Sequence, residues 1–181
     1  MNKKALIILH SGFEEIEAVT PIDLLKRAGI IVVQAALDET LNVTGKSGIV
    51  VQTSHHLDDV ASEPFDAIIL PGGPGIQKIR HHPIICKLFE QQKAANRIIG
   101  CICAAPLLLL DAGLIEDLHY TCFPGVRHEL PYALKEAVVQ HGTVITSQGA
   151  GTATEFGLQL IRALIDEETA SKVANSICWF R

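Results

Sequence analysis

The sequence carries little charge of either sign and has no excess of basic residues. Lys and Arg number 15 against 20 Asp and Glu, which gives a formal net charge of −5 and an isoelectric point near 5.9. Proteins that bind nucleic acid usually carry an excess of Lys and Arg, and this chain has none, so we expect no nucleic-acid partner. No apolar stretch reaches the roughly 20 residues of a membrane-spanning helix, so we expect no membrane partner either.

Cysteine is sparse and lacks paired spacing. The chain contains five cysteines, an odd number, and no two of them form a C-x-x-C motif. A disulfide framework or a zinc site built on cysteine would show such spacing. The histidine pairs His55–His56 and His81–His82 do not supply metal-ligand spacing with any cysteine pair. We therefore expect a cytoplasmic protein without a metal site.

What the chain does contain is apolar sequence in an alternating pattern. Hydrophobic residues make up 48% of the 181 residues and charged residues 19%, which excludes disorder and predicts one domain over residues 1–181. Four largely apolar runs are typical of strands buried on both faces: 5–9, 30–37, 66–70 and 98–102. Helical patterns lie between them, so we predict an α/β fold with a mainly parallel sheet and helices on both faces.

Three weaker β patterns accompany these strands. We expect a hairpin or edge excursion over residues 43–53 and a weak strand over 118–121. A further β pattern, over residues 138–146, is interrupted by Gly142.

Residues 97–110, RIIGCICAAPLLLL, predict a strand, a sharp turn and a helix, with Cys103 at the turn. Pro106 suits the first turn of a helix, because its missing N–H would have no partner there in any case. This order resembles a nucleophile elbow, where a nucleophile sits on a strained corner at the carboxyl edge of a sheet. The N–H groups that open the helix should lower the pKa of the Cys103 thiol. A buried structural cysteine is the alternative.

The first predicted helix places Glu17 on an apolar face. The residues that share this face at helical spacing are Pro21, Leu24 and Ala28. Glu17 is the acid near the predicted site that we propose for general acid or base work. Either the helix kinks at Pro21 or a second helical segment begins there. By contrast, we expect Glu14 and Glu15 to form a solvated helix start.

The remaining cysteines and histidines match no catalytic pattern. We expect Cys86, Cys101 and Cys178 to pack against apolar neighbours, whereas Cys122 is a candidate for partial exposure and oxidation. His119 and His128 should lie on the surface or in loops.

Five segments match a known family in its own order and cover the chain nearly end to end. They are GFEEIE at 12–17, KRAG at 26–29, ILPGG at 69–73, ICAAP at 102–106 and TSQGAGT at 146–152. Together they resemble the DJ-1/ThiJ/PfpI superfamily, and in particular its bacterial ThiJ/YajL-like branch. The resemblance implies a flavodoxin-like three-layer sandwich with a cysteine nucleophile elbow, usually assembled as a homodimer.

The resemblance also implies site roles. Cys103 matches the reactive nucleophile, and Glu17 matches the protonated glutamate that hydrogen-bonds the sulfur. Gly73 and Ala104 match the positions whose backbone N–H groups form an oxyanion pocket. The implied substrates are small dicarbonyls or glycated groups, and no cofactor or metal is implied.

The implied activity is a glutathione-independent glyoxalase that converts methylglyoxal to lactate, a deglycase acting on early glyoxal adducts, or both, with a stress-protective role. One alternative is a redox-responsive chaperone or sensor that uses Cys103 oxidation. Another alternative is a cysteine peptidase or amidotransferase. It is weaker, because those enzymes need a histidine base and Phe123 occupies the place where some relatives carry a histidine. The arginine that many relatives carry near Ser47 is also absent, with Lys46 beside that position.

Overall fold

A central seven-stranded sheet organises the computed structural model, which describes residues 3–180. Residues 1, 2 and 181 of the predicted domain lie outside that range. The strands are β1 (Lys4–Leu9), β2 (Ile31–Ala36), β3 (Asn42–Thr44), β4 (Val50–Gln52), β5 (His55–His56), β6 (Ala67–Leu70), β7 (Ile98–Ile102), β8 (Val138–His141) and β9 (Val144–Ser147). The sheet order is β5-β2-β1-β6-β7-β9-β8, and only the β8–β9 pair is antiparallel. Strands β3 and β4 form a separate antiparallel hairpin.

Helices cover both faces of this sheet. They are α1 (Glu15–Arg27), α2 (Leu57–Val60), α3 (Pro83–Ala94), α4 (Pro106–Asp111), α5 (Ala153–Leu164) and α6 (Glu167–Ser176). The chain steps from β1 to β2 in one direction and from β6 to β7 in the other, so right-handed crossovers place α1 and α3 on opposite faces. Helix α5 packs on α1 and α6, whereas α3 packs on α4. The predicted three-layer α/β sandwich is confirmed.

Helix α1 runs unbroken through Pro21, so no second segment begins there. At this point α1 packs closely against α5: a Cβ added to Gly157 would lie 2.7 Å from Leu24 Cδ1 and 3.5 Å from the Pro21 Cα. The buried side of α1 therefore holds both its proline and its apolar residues against a neighbouring helix.

Of the weaker β predictions, the one for residues 118–121 needs correction. Residues 118–121 do not form a strand, because Thr121 makes only an isolated bridge and its N–H donates to the Thr146 hydroxyl at 2.9 Å. The 138–146 pattern is two antiparallel strands that turn at Gly142, whose φ of 58° suits a residue without a Cβ. The short elements β5 and α2 were missed because a two-residue strand and a single helical turn leave too little periodicity.

The fold brings three strand ends to one place. Strands β1, β6 and β7 are neighbours and parallel, so their carboxyl ends lie side by side. The segments that leave these ends carry Phe13 and Glu14, then Gly72 and Gly73, and then Cys103. In open α/β sheets, sites form where the strand order reverses direction, and β1 and β6 flank that point here. Within residues 3–180, no helix is both long enough and apolar enough to cross a membrane.

Candidate active site

Cys103 occupies the sharp turn between β7 and α4. Its φ of 65° lies in the left-handed region, which a residue other than glycine rarely adopts and which is a mark of strained functional corners. Two backbone hydrogen bonds hold it there: its N–H donates to the Ser147 carbonyl at 2.8 Å, and its carbonyl accepts from the Phe123 N–H at 2.8 Å. Cys103 lines a pocket, whereas Cys101, two residues earlier on β7, is fully enclosed. This contrast favours the elbow over a structural cysteine.

Glu17 projects from the first turn of α1 toward that sulfur. Its side chain is 1% exposed and hydrogen-bonds the Cys103 side chain. One of its carboxyl oxygens, Oε2, also accepts a hydrogen bond from the Gly72 N–H at 2.9 Å. Glu17 therefore lies between a backbone donor and the sulfur, shielded from water.

The backbone N–H groups of Gly73 and Ala104 both donate to the Cys103 sulfur. Gly73 has a φ of 99°, and a Cβ there would overlap the Gly12 carbonyl oxygen, so the position requires glycine. The structure thus brings together all four residues named from the sequence, Cys103, Glu17, Gly73 and Ala104.

The pKa values of the two side chains are coupled. Burial raises the pKa of Glu17 to about 7. Burial and the charge of an ionised Glu17 raise the pKa of the Cys103 thiol, and the Gly73 and Ala104 N–H groups oppose that shift. The predicted lowering of the thiol pKa rested on the helix start alone and is wrong, because burial outweighs the effect of the N–H groups. A protonated Glu17 removes the repulsive part of this shift, so the thiolate costs less when Glu17 keeps its proton.

Glu14 and Glu15 are not the solvated helix start that the sequence suggested, because each is only 7% exposed. Glu14 caps α1 by accepting the Glu17 N–H at 2.9 Å, and Glu15 accepts the Ser47 N–H at 2.6 Å. The first carboxylate orients the turn that carries Glu17, and the second ties α1 to the β3–β4 hairpin.

The pocket at Cys103 has a volume of about 390 Å³. Its lining residues are Glu14, Glu17, Lys46, Gly73, Pro74, Gln77, Cys103, Ala104, Phe123, Gly125, Val126 and Ala150. At one side Lys46 Nζ lies 3.6 Å from Glu14 Oε1, so the pocket's cation is already paired with an acid. No group of three or more His, Cys, Asp and Glu side chains within residues 3–180 is placed to hold a metal ion.

The remaining candidates lie elsewhere. Neither His119 nor His128 lines the pocket: the His119 N–H donates to His141 Nδ1, and His128 Nε2 lies 3.8 Å from Glu129. Cys122 is fully buried, because its segment is folded against the core, so its predicted exposure is wrong. Cys178 is exposed rather than packed, since it follows the last turn of α6.

Sequence reasoning missed Gly72 and His10. A Cβ on Gly72 would lie 2.7 Å from Cys103 Cβ and 2.8 Å from Glu17 Oε2. Only glycine at position 72 therefore leaves room for the Cys103 and Glu17 side chains to approach each other. The double glycine after β6 was an available signal. His10 is fully buried, and its ring nitrogens lie 3.3 Å from the Ser11 and Pro71 carbonyl oxygens, where it braces the loop before Gly72. No motif marked it.

Gly72→Ala should slow alkylation of Cys103 by iodoacetamide at pH 7 by roughly tenfold or more, because the new Cβ forces the protonated Glu17 carboxyl away from the thiolate and weakens their charge-assisted hydrogen bond, worth about 1.5–3 kcal/mol. Peptide mapping by mass spectrometry gives the rate at each cysteine. Gly151→Ala is the matched control, since nothing lies within 4 Å of a Cβ there. Equal Cys103 rates in the two variants, with equal unfolding midpoints, would contradict this account of Gly72.

Comparison with known proteins identifies the family. The model of the DJ-1/PfpI family matches residues 3–163. The zebrafish (Danio rerio) Parkinson disease protein 7 homolog is 35% identical over 179 residues, which cover 95% of each chain. Caenorhabditis elegans glutathione-independent glyoxalase DJR-1.2 is 35% identical over 182 residues, 98% of this chain and 97% of that protein.

Solved structures agree with this result. Drosophila melanogaster DJ-1beta superposes with a TM-score of 0.95 at 33% identity and covers 100% of both chains. Oxidized Toxoplasma gondii DJ-1 superposes with a TM-score of 0.94 at 31% identity, covering 99% of this chain and 100% of that one. Placement in the bacterial branch stays a prediction. In sequence and in fold, this chain belongs to the DJ-1/PfpI family.

Proposed function

We propose that this protein is a Cys103-dependent enzyme that converts small reactive dicarbonyls such as methylglyoxal to 2-hydroxy acids without glutathione. One observation carries the proposal: a thiol, a buried carboxyl and two backbone N–H donors converge in a single pocket. The relative from Caenorhabditis elegans that is named a glutathione-independent glyoxalase supports the same reaction class.

The first step uses the sulfur and its donors. The Cys103 thiolate adds to the aldehyde carbon, a C–S bond forms, and the carbonyl electron pair moves onto oxygen. In this proposal the Gly73 and Ala104 N–H groups stabilise that developing charge. The oxygen then takes the proton of Glu17, which leaves a neutral hemithioacetal beside a carboxylate.

Glu17 next moves a proton between carbons. Its carboxylate removes the hydrogen from the former aldehyde carbon, and the electron pair forms an enediolate. Glu17 returns that proton to the neighbouring carbon, while the hydroxyl proton passes to the neighbouring oxygen, which gives a thioester of a 2-hydroxy acid. Water, deprotonated by Glu17, then displaces the thiolate, and the acid product releases one proton to solvent. The same first addition suits early glyoxal adducts on protein groups.

A second candidate function is redox response through Cys103. The N–H groups that face the sulfur would also donate to the oxygens of a sulfinate, and such hydrogen bonds favour arrest at that oxidation state. All five cysteines are free thiols, which suits a reducing compartment such as the cytoplasm. Peptidase chemistry gains no such support, because the pocket lining contains no histidine and Phe123 is apolar.

Purified protein should form lactate from methylglyoxal, and Cys103→Ser should abolish that turnover. Glu17→Gln should lower it by about 100-fold or more, because an amide cannot transfer the proton. Lactate measured over time checks both, with Cys178→Ser as the control at an exposed cysteine outside the pocket. Undiminished turnover in Cys103→Ser would sink the proposal. If peroxide adds two oxygens to Cys103 while methylglyoxal is untouched, the redox function replaces the enzymatic one.

We also propose a homodimer that pairs through α1 and the β3–β4 hairpin. Four apolar side chains there are each about half exposed: Ile16, Val19, Ile49 and Val50. Exposed apolar side chains gathered on two adjoining elements are typical of association sites. The bond between Glu15 and Ser47 joins the two elements into one face.

Val19→Lys should convert the protein to monomer, because a dimer would bury the new charge without a partner. Light scattering at micromolar concentration should give twice the 19.6 kDa chain mass for the wild type and the single mass for the variant. Ile165→Lys, at an exposed apolar residue beyond α5, should stay dimeric. A monomeric wild type would refute the dimer.

A further inference from the structure

Phe123 forms a wall of the pocket beside the nucleophile. Phe123 is 47% exposed, and it lines the cavity that contains Cys103. Its backbone N–H donates to the Cys103 carbonyl, so the residue is fixed to the elbow itself. The main chain of Phe123 is therefore tied directly to the residue that carries the sulfur.

The Phe123 ring lies beside two glycines, Gly125 and Gly149. A Cβ on Gly125 would lie 2.8 Å from Phe123 Cε1 and 3.1 Å from Cδ1, so the ring packs against the Gly125 backbone. On the other side, a carbon at the Cβ position of Gly149 would lie 3.8 Å from Phe123 Cδ2, 3.7 Å from Glu17 Oε1 and 4.0 Å from Cys103 Sγ. The ring, the carboxyl and the sulfur therefore all lie around the same space beside Gly149, and all three line the pocket.

The rest of the cavity favours an apolar substituent. Pro74, Val126 and Ala150 line it with Phe123, and Lys46 is already paired with Glu14. The volume of about 390 Å³ lies in the range of pockets that enclose ligands well beyond the size of methylglyoxal. A methyl group would leave most of the apolar lining in contact with water.

Building on the proposed function, we infer that Phe123 sets specificity and that the preferred substrates are α-oxoaldehydes carrying an aryl or bulky alkyl group. The thiolate adds to the aldehyde carbon, the proton moves between carbons, and water releases the acid as before, so phenylglyoxal plus water gives mandelate. The substituent contacts the Phe123 ring, and aromatic pairs gain free energy beyond that of buried area alone.

The test compares kcat/KM for phenylglyoxal and methylglyoxal, with mandelate and lactate measured as products. Wild type should favour phenylglyoxal by at least tenfold. Phe123→Ala should reduce that ratio by about tenfold, chiefly through KM for phenylglyoxal, and Phe123→Leu should give an intermediate ratio. Tyr132→Ala, at an aromatic residue that is 85% exposed and outside the pocket, should leave both values unchanged.

A wild-type ratio near one, or a ratio unaffected by Phe123→Ala, overturns the inference while leaving the glyoxalase proposal standing. If neither dicarbonyl is turned over, the proposed function fails, and binding then decides the inference. Acetophenone should slow Cys103 alkylation at concentrations where acetone does not, and Phe123→Ala should remove that protection. Equal protection by the two ketones contradicts the apolar subsite.

Discussion

The hydrogen bond between Glu17 and Cys103 is the constraint on which the site depends. Both side chains are removed from water, and two adjacent buried groups cannot both ionise without a large cost in free energy. Each group has its own backbone donors: the Gly72 N–H donates to the Glu17 carboxyl, and the Gly73 and Ala104 N–H groups donate to the Cys103 sulfur. The two glycine N–H groups therefore oppose each other: the Gly72 N–H favours an ionised carboxyl, and the Gly73 N–H favours a thiolate.

The fold supplies this arrangement through three neighbouring strand ends. Strand β1 leads to the helix that carries Glu17, β6 leads to the glycine loop, and β7 ends at the strained cysteine. Glu14 caps α1, and a carboxylate acceptor at a helix start both satisfies an N–H and suits the helix dipole. The elbow is tied on each side by backbone hydrogen bonds, so the sulfur is positioned by the sheet rather than by a mobile loop.

The features that were predicted correctly from the sequence depend on residues close together along the chain. The apolar run before Cys103 and the proline after it gave the elbow, and helical spacing placed Glu17 on the buried face. Glu15 shows the limit: its partner, the Ser47 N–H, lies 32 residues away on a hairpin, and nothing near Glu15 in sequence indicates that contact. Cys122 was misjudged for the same reason, because tertiary packing buried it. The thiol pKa was misjudged because the helix start is only one of several opposing influences on it.

Thiolate absorbance in the ultraviolet, followed against pH, tests the central claim that Glu17 keeps its proton while Cys103 carries the charge. Subtracting the Cys103→Ser spectrum isolates this thiol from the other four. The account predicts that Glu17→Ala raises the Cys103 pKa, since a hydrogen-bond donor to the thiolate is lost, and that Glu17→Gln, which keeps a donor, raises it less. A lower Cys103 pKa in Glu17→Ala would mean that an ionised Glu17 repels the thiolate, and it would contradict the account.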